Sequence, residues 1–471
     1  HISMSGPKEG VPALDGTIFG SVGGSLYLDS ASRDVYLAGA SVLDEEGKSV
    51  NRQLTVGDKL VLTSGGDVTL AGNVQAAGDV SLQSTGTLSL GQQAKLGSTA
   101  GNITLVADNL AMATPATVTA TAGRIDIQSS QNAVVGLLTS GLNDLSSSAA
   151  AITITAGGNI LSARGSQQAN AVTSAAQGVD LTAGNDVGLL SSPFVVDAPH
   201  FNAQAGKNIY VLALRDATSD TIAATAGQIV LTGKGALTLD QLQAGTELRV
   251  NAASNLVIGT ASSTDQMNLV SGANLQATTL NSAQAGIQAV ATGSLSVDTA
   301  ESALDQRYTS QANMVLTDVL SHQGAITAQT AGNLSNNSSE ANTTITFDAV
   351  GSIDINDHAT AGTAIDLNAG TDLRFGTLTA GDTVETTAGA STQGQIVDAT
   401  NDINMSAVTN MTLAQVTSHN GQVALLALGN LTVNQVESQG DQQLNSGLNT
   451  TLNQLTSHAG NIDVNAARGT L

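Results

Sequence analysis

Three histidines share one local setting: His322, His419 and His458 each follow a serine and stand two residues before a glycine. Imidazole is a common metal ligand and a ready proton carrier, so the repetition raises metal binding first. Spacing argues against it. His419 and His458 lie 39 positions apart, nearly two repeats of the period described below, which sets them roughly 10 Å apart at the strand spacing of a sheet. Ligands of one zinc ion each lie within about 2.1 Å of it. The three histidines therefore read as turn residues at equivalent places, and no metal or cofactor is expected.

Carboxylates offer a second chemistry, because glycoside hydrolysis needs two of them held about 5–9.5 Å apart. Asp67, Asp79, Asp186, Asp372 and Asp402 stand at turn-like positions, while Asp126, Asp354 and Asp463 alternate with apolar residues as the solvent-facing residues of strands do. Solvated turns and faces account for both groups. A sugar-cleaving site would also want stacking rings, and Tyr27, Tyr36, Tyr210 and Tyr308 are scattered along the chain. The glycine-rich nonapeptide and the EF-hand loop that bind calcium are absent, and no serine stands in a nucleophile elbow. The threonine runs at 117–121 and 152–155 do not recur in register, so β-propensity explains them. No catalytic, cofactor-binding or metal-binding residue is assigned, and the chain is not expected to be an enzyme.

What, then, positions these residues? Within 471 residues there are 50 glycines, no tryptophan, no cysteine and only 2% aromatics. A core of this size without large rings must be thin and uniform, built from Ala, Val, Leu and Ile. Lys and Arg number 15 against 38 Asp and Glu, a net charge of −23. Such a surface repels nucleic acid, since phosphate binding needs clustered cations. Only 11% of residues are charged, so Ser, Thr, Asn, Gln and Gly cover most of the exterior. A cysteine-free chain can inhabit an oxidising compartment without forming wrong bridges. No apolar run approaches the roughly 20 residues of a spanning helix, and no membrane insertion is expected. The opening His1-Ile2-Ser3-Met4 reads as a cloning remnant, with residues 1–15 as lead-in.

One phrase recurs from end to end: glycine, a small or polar residue, then apolar–x–apolar. It appears as Gly66-Asp67-Val68-Thr69-Leu70, Gly101-Asn102-Ile103-Thr104-Leu105, Gly227-Gln228-Ile229-Val230-Leu231, Gly351-Ser352-Ile353-Asp354-Ile355 and Gly429-Asn430-Leu431-Thr432-Val433. Alternation after a Gly-Asn or Gly-Asp turn marks a short strand with one face inward. Val68 to Leu88, Ile353 to Leu373, Ile403 to Val423 and Met411 to Leu431 are each 20 positions apart. A coil of about 20 residues holding two or three short strands is the rung of a right-handed parallel β-helix. Some 23 such rungs at about 4.8 Å each would make a rod on the order of 110 Å long. Glycine and asparagine at the corners are expected to supply positive φ. The period breaks at 41–52, 142–151, 191–202 and 301–313, which are expected as loop excursions from a continuous repeat over 16–471; 191–202 carries Pro193 and Pro199, and 301–313 lacks glycine and could form a short helix.

The segments GGDVTLAGNVQAAGDVSL (65–82) and TSHAGNIDVNA (456–466) resemble the repeats of filamentous haemagglutinins, the large exoproteins of bacterial two-partner secretion. At the level of repeat style the resemblance covers nearly the whole chain. It implies a rod-shaped β-helix, secretion through an outer-membrane transporter, a place outside the cell or on its surface, and a role in adhesion, biofilm formation or contact-dependent inhibition. The partners it implies are that transporter and a surface glycan, matrix polysaccharide or host receptor. The family's secretion domain carries an Asn-Pro-Asn-Gly type motif, and no Asn-Pro occurs here. The chain is accordingly read as a piece of the stalk, with a polysaccharide-binding module acting through its loops, or a polysaccharide lyase or hydrolase, as the alternatives.

Overall fold

The computed structural model describes residues 2–5, 20–30, 34–37, 42–43, 49–50, 53–142 and 149–470. These fall into two compact units, residues 1–245 and 246–471. Both are parallel β-solenoids. Together they hold about 20 turns of about 20 residues and, among the described residues, no helix.

Over most of the first unit three short strands make a coil, and its last coils, with Ala217–Ala224 and Leu237–Ala244, already have a long strand. Val68–Leu70, Asn73–Ala76 and Val80–Ser84 are followed by Thr87–Leu90, Lys95–Ser98 and Ile103–Ala107, each pairing in parallel with its counterpart. The marker residues of the repeat become direct partners, with Leu88 opposite Val68 and Val80 opposite Ile103.

In the second unit each coil has two strands, one of five residues and one of eight. Leu373–Ala380 shows the pattern: positions 1, 3, 6 and 8 are buried, and positions 4 and 5 both face outward. Strict alternation would put every second residue inside. Two outward residues in succession mean that the chain turns a corner without ending the ladder, so one long strand does the work of two. Pairing skips the corner residue: Phe375 pairs with Gly394 and Thr377 with Ile396. Ladder partners along the long strands are 19 or 20 positions apart, as from Leu334 to Ile353 and from Ile353 to Leu373.

The interior consists of aliphatic columns. Ile326, Ile345, Ile365, Val384, Ile403 and Val423 stack in successive coils, each 0% exposed. Full burial of such a side chain stabilises by about 1.5–3 kcal/mol relative to leaving it in water, and no single coil could achieve it. Polar residues interrupt the columns in places: the Thr386 and Thr392 hydroxyls are buried without a hydrogen-bond partner, whereas others are bonded within or between coils. Gln306 donates from Nε2 to the Leu320 carbonyl at 2.6 Å and accepts from the Tyr308 hydroxyl at 2.8 Å. Burial pushes the Tyr308 phenol far up, so it stays a donor. Asn170 bridges two coils, donating to the Val135 carbonyl and accepting from the Val195 N–H, both at 2.9 Å.

The corners work differently from the expectation. Among the described glycines only Gly178 and Gly188 have positive φ, 65° and 69°. Glycine is selected elsewhere by proximity. A Cβ on Gly184 would overlap the carbonyl oxygen of Gly157 in the coil before, and one on Gly206 would overlap that of Gly184.

Residues 301–313, expected as an excursion or short helix, lie in the ladder. Glu301 and Ser302 end the strand Leu295–Ser302, and Gln306–Ser310 forms the next. Their glycine-free turn is tolerated because Ser302 Oγ donates to the Leu304 carbonyl at 2.6 Å and closes it. Within 191–202 the two strands Phe194–Asp197 and Phe201–Ala205 stay in register. The protrusion there is the tight loop closed by the antiparallel bridge between Leu189 and Ser192. Within 41–52, Val42–Leu43 pairs antiparallel with Ser49–Val50, off the parallel ladder, and the rest lies outside the described residues. In 142–151, residues 143–148 also lie outside them.

Phe375 shows how a single ring is housed. It points inward at 5% exposure, and the Cβ that Gly394 lacks would overlap its ring. Gly394→Ala is expected to force the ring aside and destabilise the second unit by about 1–3 kcal/mol, measured by urea unfolding. An unchanged midpoint would mean that the ring does not fill that space.

Candidate functional site

The turn aspartates act as latches between coils. Asp67 Oδ1 accepts the Thr87 N–H at 2.7 Å, Asp79 accepts that of Asn102 at 3.0 Å, and Asp402 that of Gln422 at 2.9 Å. Asp186 and Asp372 do the same for Asn208 and Ser391. For Asp79, the Asn102 bond followed by Lys59 at 3.2 Å holds the carboxyl below the usual range; for Asp372, the Ser391 hydroxyl and N–H do so. Asparagines fill the same role, as Asn410 does for Asn430 and Asn430 for Asn449. Each carboxylate is thus engaged by the next coil. Asp126, Asp354 and Asp463 face outward from strands.

The three repeated histidines occupy equivalent corners, and each meets a carboxylate of the coil before. Nε2 of His322 lies 2.7 Å from Glu301, that of His419 2.8 Å from Asp398, and that of His458 2.9 Å from Glu437. Every interval is 21 residues, so the pairing was present in the sequence as a carboxylate 21 positions before each Ser-His. These pairs are about half exposed, and exposed ion pairs contribute little. Among the described residues no three metal-ligating side chains converge.

His358 is more enclosed and more constrained. Its strand Ile353–Ala361 is one residue longer than its neighbours, and the bulge sets the ring between Asp357 at 3.1 Å and Glu340 at 3.3 Å. Burial opposes its charge, but the hydrogen bonds and charges of Asp357 and Glu340 outweigh burial and hold the imidazole above its usual value.

One carboxylate pair escaped the sequence reading. Asp366 and Glu385 are register partners on the outer face of adjacent short strands. Burial, then the charges of Glu385 and Asp348, push the Asp366 carboxyl up. Glu385 borders a shallow depression of about 300 Å³ that also reaches Asn404 and Gln443. The signal available was Asp and Glu 19 positions apart at like places in the repeat.

A groove of about 680 Å³ lies on the outside of the long strands of the second unit. It crosses six of them, from Ile353–Ala361 to Thr450–Ser457, five intervals of about 4.8 Å or roughly 24 Å in length. Second-position side chains such as Gln393, Thr412 and Thr432 form one wall, and fourth-position Gln395, Asn434 and Asn453 the other. Backbone at Phe375, Gly394, Leu413 and Val433 lies between them. Gly376 and Ala414 leave gaps in the second wall. Asn453 donates to Asn434 Oδ1 at 2.9 Å, an amide ladder along the groove. Arg374 is the one cation among the lining residues, 3.8 Å from Asp354 and 3.9 Å from Asp372.

No family model, no curated protein and no solved structure matches the chain.

The raised His358 value fixes a sign. Its pairing stabilises the fold fully below the free-imidazole value of about 6.5 and ceases to do so as pH rises through the higher folded value. Nuclear magnetic resonance titration should place its midpoint above about 6.5, and Glu340→Gln with Asp357→Asn should lower it. His358→Ala should destabilise more at about pH 5 than at about pH 9. An equal loss at both would contradict the pairing.

Proposed function

We propose that this chain is a structural, adhesive segment of a secreted bacterial surface exoprotein, extending or joining contacts at the cell surface or in a matrix. The observation that carries the reading is the in-register parallel ladder of the second unit, which runs from Leu248–Ala252 to Ile462–Ala466 with every coil of nearly equal length. A repeat whose coils keep one length and one register while their outward residues vary is suited to spanning distance and to presenting surface, as stacked solenoids do. The haemagglutinin-like phrases at 65–82 and 456–466 support the same reading, and with it export through an outer-membrane transporter. The polar, acidic exterior keeps such a segment soluble.

Small-angle scattering of the whole chain is expected to show the cross-section term of an elongated particle, as a stalk requires. A profile of a compact sphere would overturn the stalk reading.

A second reading rests on Asp366 and Glu385. Two carboxylates facing each other across adjacent strands, one of them pushed up by burial and by its neighbour's charge, are the pairing from which a general acid and its partner are built, which would make the chain a polysaccharide hydrolase. Incubation with acidic and neutral glycans should yield no new reducing ends. Turnover that Asp366→Asn abolishes would replace the stalk reading with this one.

A further inference from the structure

We propose that the groove over the long strands of the second unit is a binding site for a single extended chain of neutral polysaccharide, lying along the stack with about one sugar per coil. It rests on the adhesive reading above and names its ligand class and its site.

Periodicity carries the argument. The groove presents a polar second-position side chain in every coil, at about 4.8 Å, and a polar fourth-position one in four of the six, with gaps at Gly376 and Ala414; the rise per sugar of an extended glycan is close to that spacing. An extended peptide advances about 3.3 Å per residue, so it would fall out of step with the coils within a few residues. Side-chain chemistry agrees. Gln393, Gln395, Asn434 and Asn453 offer both amide donors and carbonyl acceptors, and Thr412 and Thr432 add hydroxyls. Sugar hydroxyls, which both give and take hydrogen bonds, match such a mixed lining. The volume of about 680 Å³ lies within the range of about 300–1,000 Å³ typical of ligand sites.

Charge narrows the class. Arg374 is already engaged by Asp354 and Asp372, which leaves the groove no unengaged cation among its lining residues, on a chain of net charge −23. An acidic glycan would meet repulsion; a neutral one would not. Phe375 is the one ring-bearing residue of the lining and its ring is turned inward at 5% exposure, so recognition rests on hydrogen bonds along the length and affinity should grow with chain length. The site is on the ladder itself, unlike the loops to which sequence reasoning assigned binding.

The test uses the full chain and isothermal titration with cellohexaose, a neutral β-1,4-linked hexamer, against cellobiose and hexagalacturonate. Binding of cellohexaose, at least tenfold weaker for cellobiose and absent for hexagalacturonate, is expected. Ala414→Arg, at an exposed wall position outside the core, should fill the groove and abolish binding, and Asn434→Ala should weaken it several-fold. Thermal melts matching the parent chain establish that both variants fold. Should Ala414→Arg melt early, Asn434→Ala alone decides. Cellohexaose bound equally by the parent and the variants would overturn the location, and equal or tighter binding of hexagalacturonate would overturn the class. No binding by a chain that still scatters as a rod would overturn the groove while leaving the stalk reading in place; a spherical profile would remove the stalk reading itself.

Discussion

The hydrogen bonds between one coil and the next govern everything else in this molecule. Strands of a parallel ladder lie about 4.8 Å apart, and a solenoid imposes that distance on corners as well as strands. A corner residue therefore sits almost on top of its counterpart, with no room for a side chain that points along the stack. Gly157, Gly184 and Gly206 answer this by having none. Aspartate and asparagine answer it by turning the crowding into a bond, since a short side-chain oxygen reaches the next corner's N–H and satisfies a group that the strands leave over.

The same distance explains why acidic residues here are poor evidence of catalysis. An enzyme site gathers carboxylates from distant parts of a chain around a cavity. In this fold the carboxylates are distributed by the repeat, one coil after another, and many are occupied by N–H groups or imidazoles of the adjoining coil. Asp366 differs because its register partner is Glu385 and like charges face each other. The histidines obey the same geometry: their neighbours are set by a 21-residue interval and not by convergence.

The ladder was legible in the sequence because inward residues must repeat. Val68 with Leu88, Ile353 with Leu373, Ile403 with Val423 and Met411 with Leu431 were picked by spacing and are bonded partners. Residues 301–313 were misjudged because the turn there is closed by Ser302, and a serine hydroxyl leaves a fainter trace than glycine. The meaning of corner glycine was also misread, since a steric demand from a neighbouring coil and a demand for positive φ select the same residue. The groove could not be read at all. Its walls are outward residues, which carry no hydrophobic signal, and their alignment depends on the skipped residue at each corner, known only from the pairing.

Repetition carries a hazard of its own: when every coil resembles the next, a chain folding from many points can thread with one coil looped out and lose few contacts. The few buried amides bear on this. Gln306 reaches the carbonyl of Leu320, Gln442 that of Thr456, and Asn336 that of Leu316, each in an adjacent coil and none repeated in the coils around it. A misthreaded chain would leave these carboxamides facing aliphatic neighbours, where an unsatisfied polar group costs about 1–3 kcal/mol. Sparse, irregular and deep inside, they act as a vernier on an otherwise uniform scale, and they give a monotonous sequence one correct order of assembly.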